Sequence, residues 1–242
     1  MGDVKISMDD RAGQSSILDD FCYNNNVSKA NVYVRLGFLR KVYGILSAQL
    51  LATTVIAAFG MFTPAVKLYI SQNQWMVMGA FILSMVLLLA LMVKRRETPT
   101  NYFLLTAFTF VQAFTVAVVV SFYDQMAVLQ AFLLTMGVTG GLTLYTFQSK
   151  RDFSTWGAGL YAFLMVLFMG SLLQFFLTSS HLEFVLSLGG AVLFSFFIIF
   201  DTHMLMHRVS PEEYILATIE LYLDIINLFL HILRIIGEAR RN

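Results

Sequence analysis

The sequence predicts an all-α fold, a polytopic membrane bundle of seven helices with the last one at its centre. Three observations carry this expectation. Of 242 residues, 58% are hydrophobic and 13% charged, about half the ~25% charge of an ordinary soluble domain. Seven stretches are close to the ~20 apolar residues that cross roughly 30 Å of hydrocarbon. Only the seventh carries several ionisable groups at helical spacing. A soluble fold of this length could not hide so much apolar side chain, and a net charge of +1 gives no electrostatic case for nucleic acid as a partner.

Residues 1–35 read as a polar cytosolic tail. Asp3, Asp9, Asp10, Asp19 and Asp20 leave no apolar run for a signal peptide, so insertion starts at the first hydrophobic helix. The single cysteine, Cys22, lies in this tail and has no partner for an intramolecular disulfide. The Asn26-Val27-Ser28 sequon is silent if the tail is cytosolic. The membrane domain runs over 36–238, with spans expected at 42–62, 75–93, 102–122, 126–147, 157–177, 183–200 and 215–236, and 239–242 is a short C-terminal tail. Connectors such as Lys94-Arg95-Arg96-Glu97-Thr98-Pro99 and Gln148-Ser149-Lys150-Arg151-Asp152 leave no room for a globular domain. Gly137, Gly140, Gly141, Gly189 and Gly190 lie within spans, where small residues let helices approach.

Orientation follows from lysine and arginine near span ends. Arg35, Arg40, Lys41, Lys94, Arg95, Arg96, Lys150, Arg151 and Arg208 fall on one side and only Lys67 on the loops opposite, which puts the N-terminus in the cytosol. The C-terminus is ambiguous. A full seventh crossing carries Arg234, Arg240 and Arg241 to the lumenal side against the rule, and a re-entrant segment returns them to the cytosol.

The chemistry lies in the last two spans. A charge at mid-bilayer costs about 2.5–3.5 kcal/mol on insertion scales. Glu220, Asp224, Asn227, His231, Arg234 and Glu238 fall within a stripe roughly 80° wide at 100° per residue. Such a stripe faces protein or a wet cavity, hence the central placement. Asp224 is the deepest acid. Asp201 ends the sixth predicted span, where a lone acid reads as a boundary residue or helix cap. The short turn at Arg208 to Pro211 makes the two helices antiparallel neighbours and lets Asp201 approach the stripe. Two carboxylates in one poorly hydrated place do not both ionise readily, which suits a proton sensor, a weak cation site or both. Calcium prefers six to eight oxygens, so Asp201, Asp224 and Asn227 make a sparse set, better suited to passage than storage. His203 and His207 have helical spacing without a third zinc ligand, and read as interfacial residues. The stripe also admits a plain packing role, its groups pairing with one another.

Phe200-Asp201-Thr202-His203, Ser210-Pro211-Glu212-Glu213-Tyr214 and the run from Leu221-Tyr222-Leu223-Asp224 to Asn227-Leu228-Phe229-Leu230 resemble the signature of the Bax inhibitor (lifeguard) family. Phe38-Leu39-Arg40-Lys41-Val42-Tyr43, Val119-Val120-Ser121-Phe122-Tyr123-Asp124, Tyr145-Thr146-Phe147-Gln148-Ser149-Lys150 and Arg151-Asp152-Phe153 resemble its Golgi anti-apoptotic branch. The resemblance covers roughly residues 16–238. It implies a non-enzymatic, pH-sensitive calcium leak of Golgi or endoplasmic reticulum membranes that lowers stored calcium and restrains apoptosis. Calcium is then the permeant ion, and no cofactor is needed. By motif match, the gating pair is Asp201 and Asp224, and Arg95 is the best match for a basic latch, with Lys94 and Arg96 in neighbouring registers. Glu220, Asn227 and His231 support the stripe. Partners implied are the bilayer, calcium, intracellular calcium-release channels and apoptosis regulators, with the oligomeric state open. Many relatives have Tyr where Phe200 stands, and Glu238-Ala239-Arg240-Arg241-Asn242 is too short to assume the acid sensing that the founding branch places in a lysine-rich C-terminal tail. Two other readings compete: a non-conducting scaffold that docks partners through Asp19-Asp20-Phe21, and an intramembrane aspartyl protease.

Overall fold

The computed structural model describes residues 32–63, 68–69, 72–73, 75–177 and 179–241. The tail features (Cys22, the sequon, Asp19-Asp20-Phe21) and Lys67 lie outside the described residues. Seven long helices follow one another: α1 (Val32–Phe62), α2 (Trp75–Lys94), α3 (Thr100–Val120), α4 (Gln125–Gln148), α5 (Gly157–Leu177), α6 (Ser180–His207) and α7 (Tyr214–Arg241). Short 3-10 turns at Ser154–Trp156 and Pro211–Glu213 lead into α5 and α7. All seven are long and apolar enough to cross a membrane.

The helices outrun the apolar windows. Helix α1 begins ten residues before the predicted span, and α6 continues past Phe200 to His207. Asp201 therefore sits inside a helix and caps nothing. Hydropathy stops at the first charge, whereas a helix continues while its backbone bonds are satisfied and its side chains have somewhere to pack. Similarly, α7 continues to Arg241, into the stretch read as a C-terminal tail. Its last turn is fastened where Arg240 donates to Asp124 Oδ2 at 2.6 Å and to Gln130 Oε1 at 3.0 Å. Asp124 also caps α4, accepting from the Met126 backbone N–H at 3.2 Å.

These contacts settle the geometry of the seventh segment. It does not turn back. Its N-terminal end meets the basic connectors, since Lys41 Nζ lies 3.4 Å from the Tyr214 ring centroid and Glu213 pairs with Arg95 and Arg96. Its C-terminal end reaches the α3–α4 connector at the opposite end of the bundle. A 28-residue helix rises about 42 Å, enough for a complete crossing.

Helix α7 is the central element, packing against α6, α4 and α1. Its rings also meet α3 edge-on, with Phe108 and Tyr222 6.4 Å apart. In the apolar stretch of each helix 56% of α7 is buried, against 6% for α5 and 17% for both α2 and α4. That contrast places α5 and α2 at the periphery, packed on α6 and α3 respectively. The core is built from Val42, Leu91, Phe108, Ile198, Ile215, Tyr222, Leu228 and Leu233, each without solvent exposure or nearly so. A smaller cluster of Leu160, Leu193, Phe197 and Phe200 joins α5 to α6. Outward positions such as Phe81, Leu89, Leu133, Met165 and Phe176 are large, apolar and exposed, as helix faces against acyl chains require.

Lipid is as apolar as leucine, so helix association relies on close packing and polar contacts. Gln49 Nε2 on α1 donates to Thr109 Oγ1 on α3 at 2.8 Å, and Thr109 in turn donates to the Leu105 carbonyl at 2.8 Å. Thr53 donates to the Gln49 carbonyl at 2.8 Å, which leaves the Tyr222 hydroxyl as the donor in its 2.8 Å bond to Thr53. One polar chain thus ties α1, α3 and α7 together in the core. Gln112 Nε2 donates to Ser84 Oγ at 2.9 Å and fastens α2 to α3.

At Gly190 a neighbouring ring comes closer than a side chain at that position would allow. A Cβ on Gly190 would fall on the His231 ring, whereas one on Gly141 meets nothing within 4 Å. Overpacking a tight contact costs about 1–3 kcal/mol. Gly190→Val should therefore lower the apparent melting temperature of the purified protein, measured by loss of the monodisperse size-exclusion peak on heating, and Gly141→Val should leave it within error.

Candidate functional site

The site lies where the C-terminal half of α6 runs beside the N-terminal half of α7. Asp201 comes from α6 and Glu220 and Asp224 from α7, one helical turn apart. The antiparallel pairing of the two helices through the Arg208 to Glu213 turn brings all three acids within electrostatic reach of one another. The carboxyls of Asp201 and Asp224 come close enough to interact directly. Asp224 is only 7% exposed, and its Oδ2 has no donor among the described residues. Two carboxyls this close in a poorly hydrated place do not both ionise readily.

Glu220 is exposed and lies nearer the basic end. It interacts electrostatically with Asp201, Glu213 and Arg95. Arg95 itself forms an ion pair with Glu213 at 3.0 Å, as does Arg96 at 3.0 Å, while Lys94 takes Glu97 at 2.8 Å. The basic cluster is thereby sorted. Lys94 stays on its own connector, and Arg95 and Arg96 tie the end of α2 to the turn between α6 and α7. The ion-pair partner of Arg95 is Glu213, and its link to the acid cluster runs through Glu220.

The other stripe residues diverge. Asn227 donates back to the Leu223 carbonyl at 2.8 Å. His231 lies in the far half of α7, about 10 Å along the axis from Asp224. There its ring stacks on Phe194 with centroids 5.6 Å apart, and its Nδ1 is buried without a hydrogen-bond partner among the described residues. Among the described residues no group of three or more His, Cys, Asp or Glu side chains could hold a metal ion. The two aspartates supply few of the oxygens that a calcium cage requires.

Three participants take roles here that the sequence reading did not assign to them. Tyr161 on α5 packs edge-on against Phe197 at 5.6 Å, and its phenol feels Asp201, Glu220 and Asp224. A single tyrosine in an apolar helix looks like any lipid-facing aromatic. Glu213 reads as a turn residue after proline until Arg95 arrives from another helix. Asp152, in the α4–α5 connector, accepts from His203 Nε2 at 3.0 Å and from the Ser154 backbone N–H at 2.9 Å. His203 is stacked on His207 with centroids 4.3 Å apart, and His207 Nδ1 donates to the His203 carbonyl at 3.0 Å.

A bundle of seven membrane-length helices, with a polar central helix and a carboxyl pair between its last two, defines a polytopic helical membrane protein. Comparison with known proteins narrows the class. The family model described as "Inhibitor of apoptosis-promoting Bax1" matches residues 35–241. The chain is 49% identical over 228 residues to "Protein lifeguard 4" of Mus musculus, covering 94% of this chain and 96% of that one. It is 46% identical over 236 residues to "Golgi anti-apoptotic protein" of Vaccinia virus (strain Lister), covering 98% and 100%. Identity to "Bax inhibitor 1" of Schizosaccharomyces pombe is 36% over 232 residues, covering 96% and 87%. The chain belongs to the Bax inhibitor (lifeguard) family.

Asp152 lies outside the spans, and the Ser154 hydroxyl and backbone, followed by His203, hold its carboxyl down at about 2 from the usual 3.8. A depressed acid contributes stability that is complete above its unfolded value and is lost as pH falls through its folded value. The melting temperatures of wild type and Asp152→Asn should therefore differ near pH 4 and converge as the pH is lowered toward 2. A gap that stays constant over that interval would show that the ionised carboxylate contributes nothing.

Proposed function

We propose that the protein is a proton-gated calcium leak of Golgi membranes, and of the endoplasmic reticulum, which lowers stored calcium and restrains apoptosis. The observation that carries this reading is the contact between the Asp201 and Asp224 carboxyls on two adjacent helices, one of them the central helix. The printed names of the relatives support the setting, since one is a Golgi anti-apoptotic protein and another a Bax inhibitor. The asymmetry of lysine and arginine supports a cytosolic N-terminus, with the Arg95 and Glu213 end of the bundle toward the cytosol.

In this reading the shared proton holds α6 against α7. Loss of the proton places two negative charges side by side where the effective dielectric is low. At about 4 Å and an effective dielectric near 20, two unit charges interact by about 4 kcal/mol, sufficient to bias a two-state gate. The same charges attract a divalent cation, and the small number of oxygens lets it leave, as conduction requires. Calcium is cargo and needs no resident cage. Arg95 acts as the latch through Glu213 and Glu220, since a shift of the α6–α7 turn moves Glu213 and changes which acid the guanidinium meets. Modulation of calcium-release channels and apoptosis regulators follows from lowered stores.

Asparagine at position 224 keeps a hydrogen bond to Asp201 at every pH but carries no titrating proton. In proteoliposomes loaded with calcium indicator, Asp224→Asn should flatten the dependence of flux on pH between 6 and 8. The double variant Asp201→Asn/Asp224→Asn should lower flux on the order of tenfold, equivalent to about 1.4 kcal/mol of lost charge–cation attraction. Flux and pH profile unchanged in both variants would sink the gate. No flux from the wild-type protein would sink conduction and leave a modulator of other channels.

A further inference from the structure

We propose that the cavity between the α4–α5 connector and the end of α6 binds a phosphate monoester, presented by a phosphorylated inositol lipid. This rests on different residues from the calcium reading and stands independently of it. The cavity has a volume of about 340 Å³, within the range of about 300–1,000 Å³ typical of small-molecule sites. Lys150, Arg151 and Asp152 line it from the connector, and His203, His207 and Arg208 from α6.

Three cations without acids gather around this one cavity. Lys94, Arg95 and Arg96 each have an acid, and Lys41 lies over the Tyr214 ring. Among the described residues Lys150, Arg151 and Arg208 have no acidic partner within ion-pair distance. The one carboxylate in the wall, Asp152, is already engaged by His203 and the Ser154 backbone. That engagement holds the connector against α6 and leaves three exposed cations around the opening. Arg208 reaches Ser154 Oγ at 3.1 Å, which keeps its guanidinium at the mouth. The site is preformed, because Phe153, buried beneath the connector, packs edge-on against both Trp156 and His203.

Position favours a lipid as the source of the phosphate. The cavity opens where Gln148 ends α4, Ser154 begins the fifth span and His207 ends α6, the level at which headgroups lie. Trp156, partly exposed beside it, is the kind of residue that settles at that level. Basic pockets in this position suit phosphorylated headgroups. A monoester carries nearly two negative charges, compared with one for the diester of an ordinary phospholipid, so three cations distinguish the two.

The test uses the purified full chain in detergent at about 0.15 M salt, with affinity followed by thermophoresis. The probes are dioctanoyl phosphatidylinositol 4-phosphate, dioctanoyl phosphatidylinositol, free inositol 1,4-bisphosphate and inorganic phosphate. Saturable binding is expected for the 4-phosphate lipid and much weaker binding for its unphosphorylated parent. Near 1 kcal/mol per surface cation, Arg208→Gln should weaken that binding roughly fivefold and Lys150→Gln/Arg151→Gln roughly 25-fold. Arg40→Gln, which removes a cation at the same end but outside the cavity, should not change it. Equal affinity for the free bisphosphate and the lipid keeps the monoester site and assigns it to a soluble phosphate ester. Equal binding of the phosphorylated and unphosphorylated lipids, or cavity variants that bind like Arg40→Gln while retaining the wild-type melting temperature, would overturn the proposal.

Discussion

A polar helix cannot face acyl chains, and this constraint organises the molecule. Helix α7 carries Asp224, Asn227 and His231 along one stripe, and the helices packed on it, α1, α4 and α6, shield it. The peripheral helices can afford to be apolar throughout because they have nothing to protect. The exposed Phe, Leu and Met side chains of α2, α4 and α5 and the buried α7 are two sides of one arrangement. Within the core, hydrogen bonds from Gln49, Thr53 and Tyr222 replace the solvent driving force that a soluble bundle would use.

The same constraint makes the acid pair informative. In water, Asp201 and Asp224 would be two unremarked carboxylates. Held between two helices, they can coexist only by sharing a proton, pairing with a cation or pushing apart, and each option couples chemistry to helix position. The ion pair of Arg95 with Glu213 adds a tether between α2 and the turn that joins the two acid-bearing helices. Proton, cation and turn are thus parts of one mechanical unit in the calcium-leak reading. The basic cavity at the end of α6 adjoins that unit, since His203 in its wall lies two residues beyond Asp201.

Much of the fold and part of the site were legible beforehand, for identifiable reasons. Span number follows from hydrophobic length, and the centrality of α7 follows from helical periodicity, both of which are local properties of the chain. The antiparallel approach of Asp201 to Asp224 was readable because a short turn leaves two consecutive helices little choice of neighbour. Tyr161, Glu213 and Asp152 were not readable. Their roles depend on partners from other helices or connectors, and the motifs that contain Glu213 and Asp152 do not specify those partners. The cap reading of Asp201 failed for a related reason: a hydropathy window ends at a charge, but a packed helix does not.

What the sequence by itself determined was class and content: seven membrane-crossing helices, one of them polar along a single face, and acids on the last two. These depend on composition and spacing, which any chain carries with it. Tertiary structure decided the pairings. It joined Arg95 to Glu213, turned Asn227 back onto its own helix, and, among the described residues, left Lys150 and Arg151 of the α4–α5 connector without acids. It also resolved the path of α7, because Arg240 finds Asp124 at the far end of the bundle. A count of basic residues treats Arg240 as a free charge to be kept from crossing. Paired at 2.6 Å with a carboxylate from another connector, it is no longer one, and only the folded chain brings that carboxylate to it.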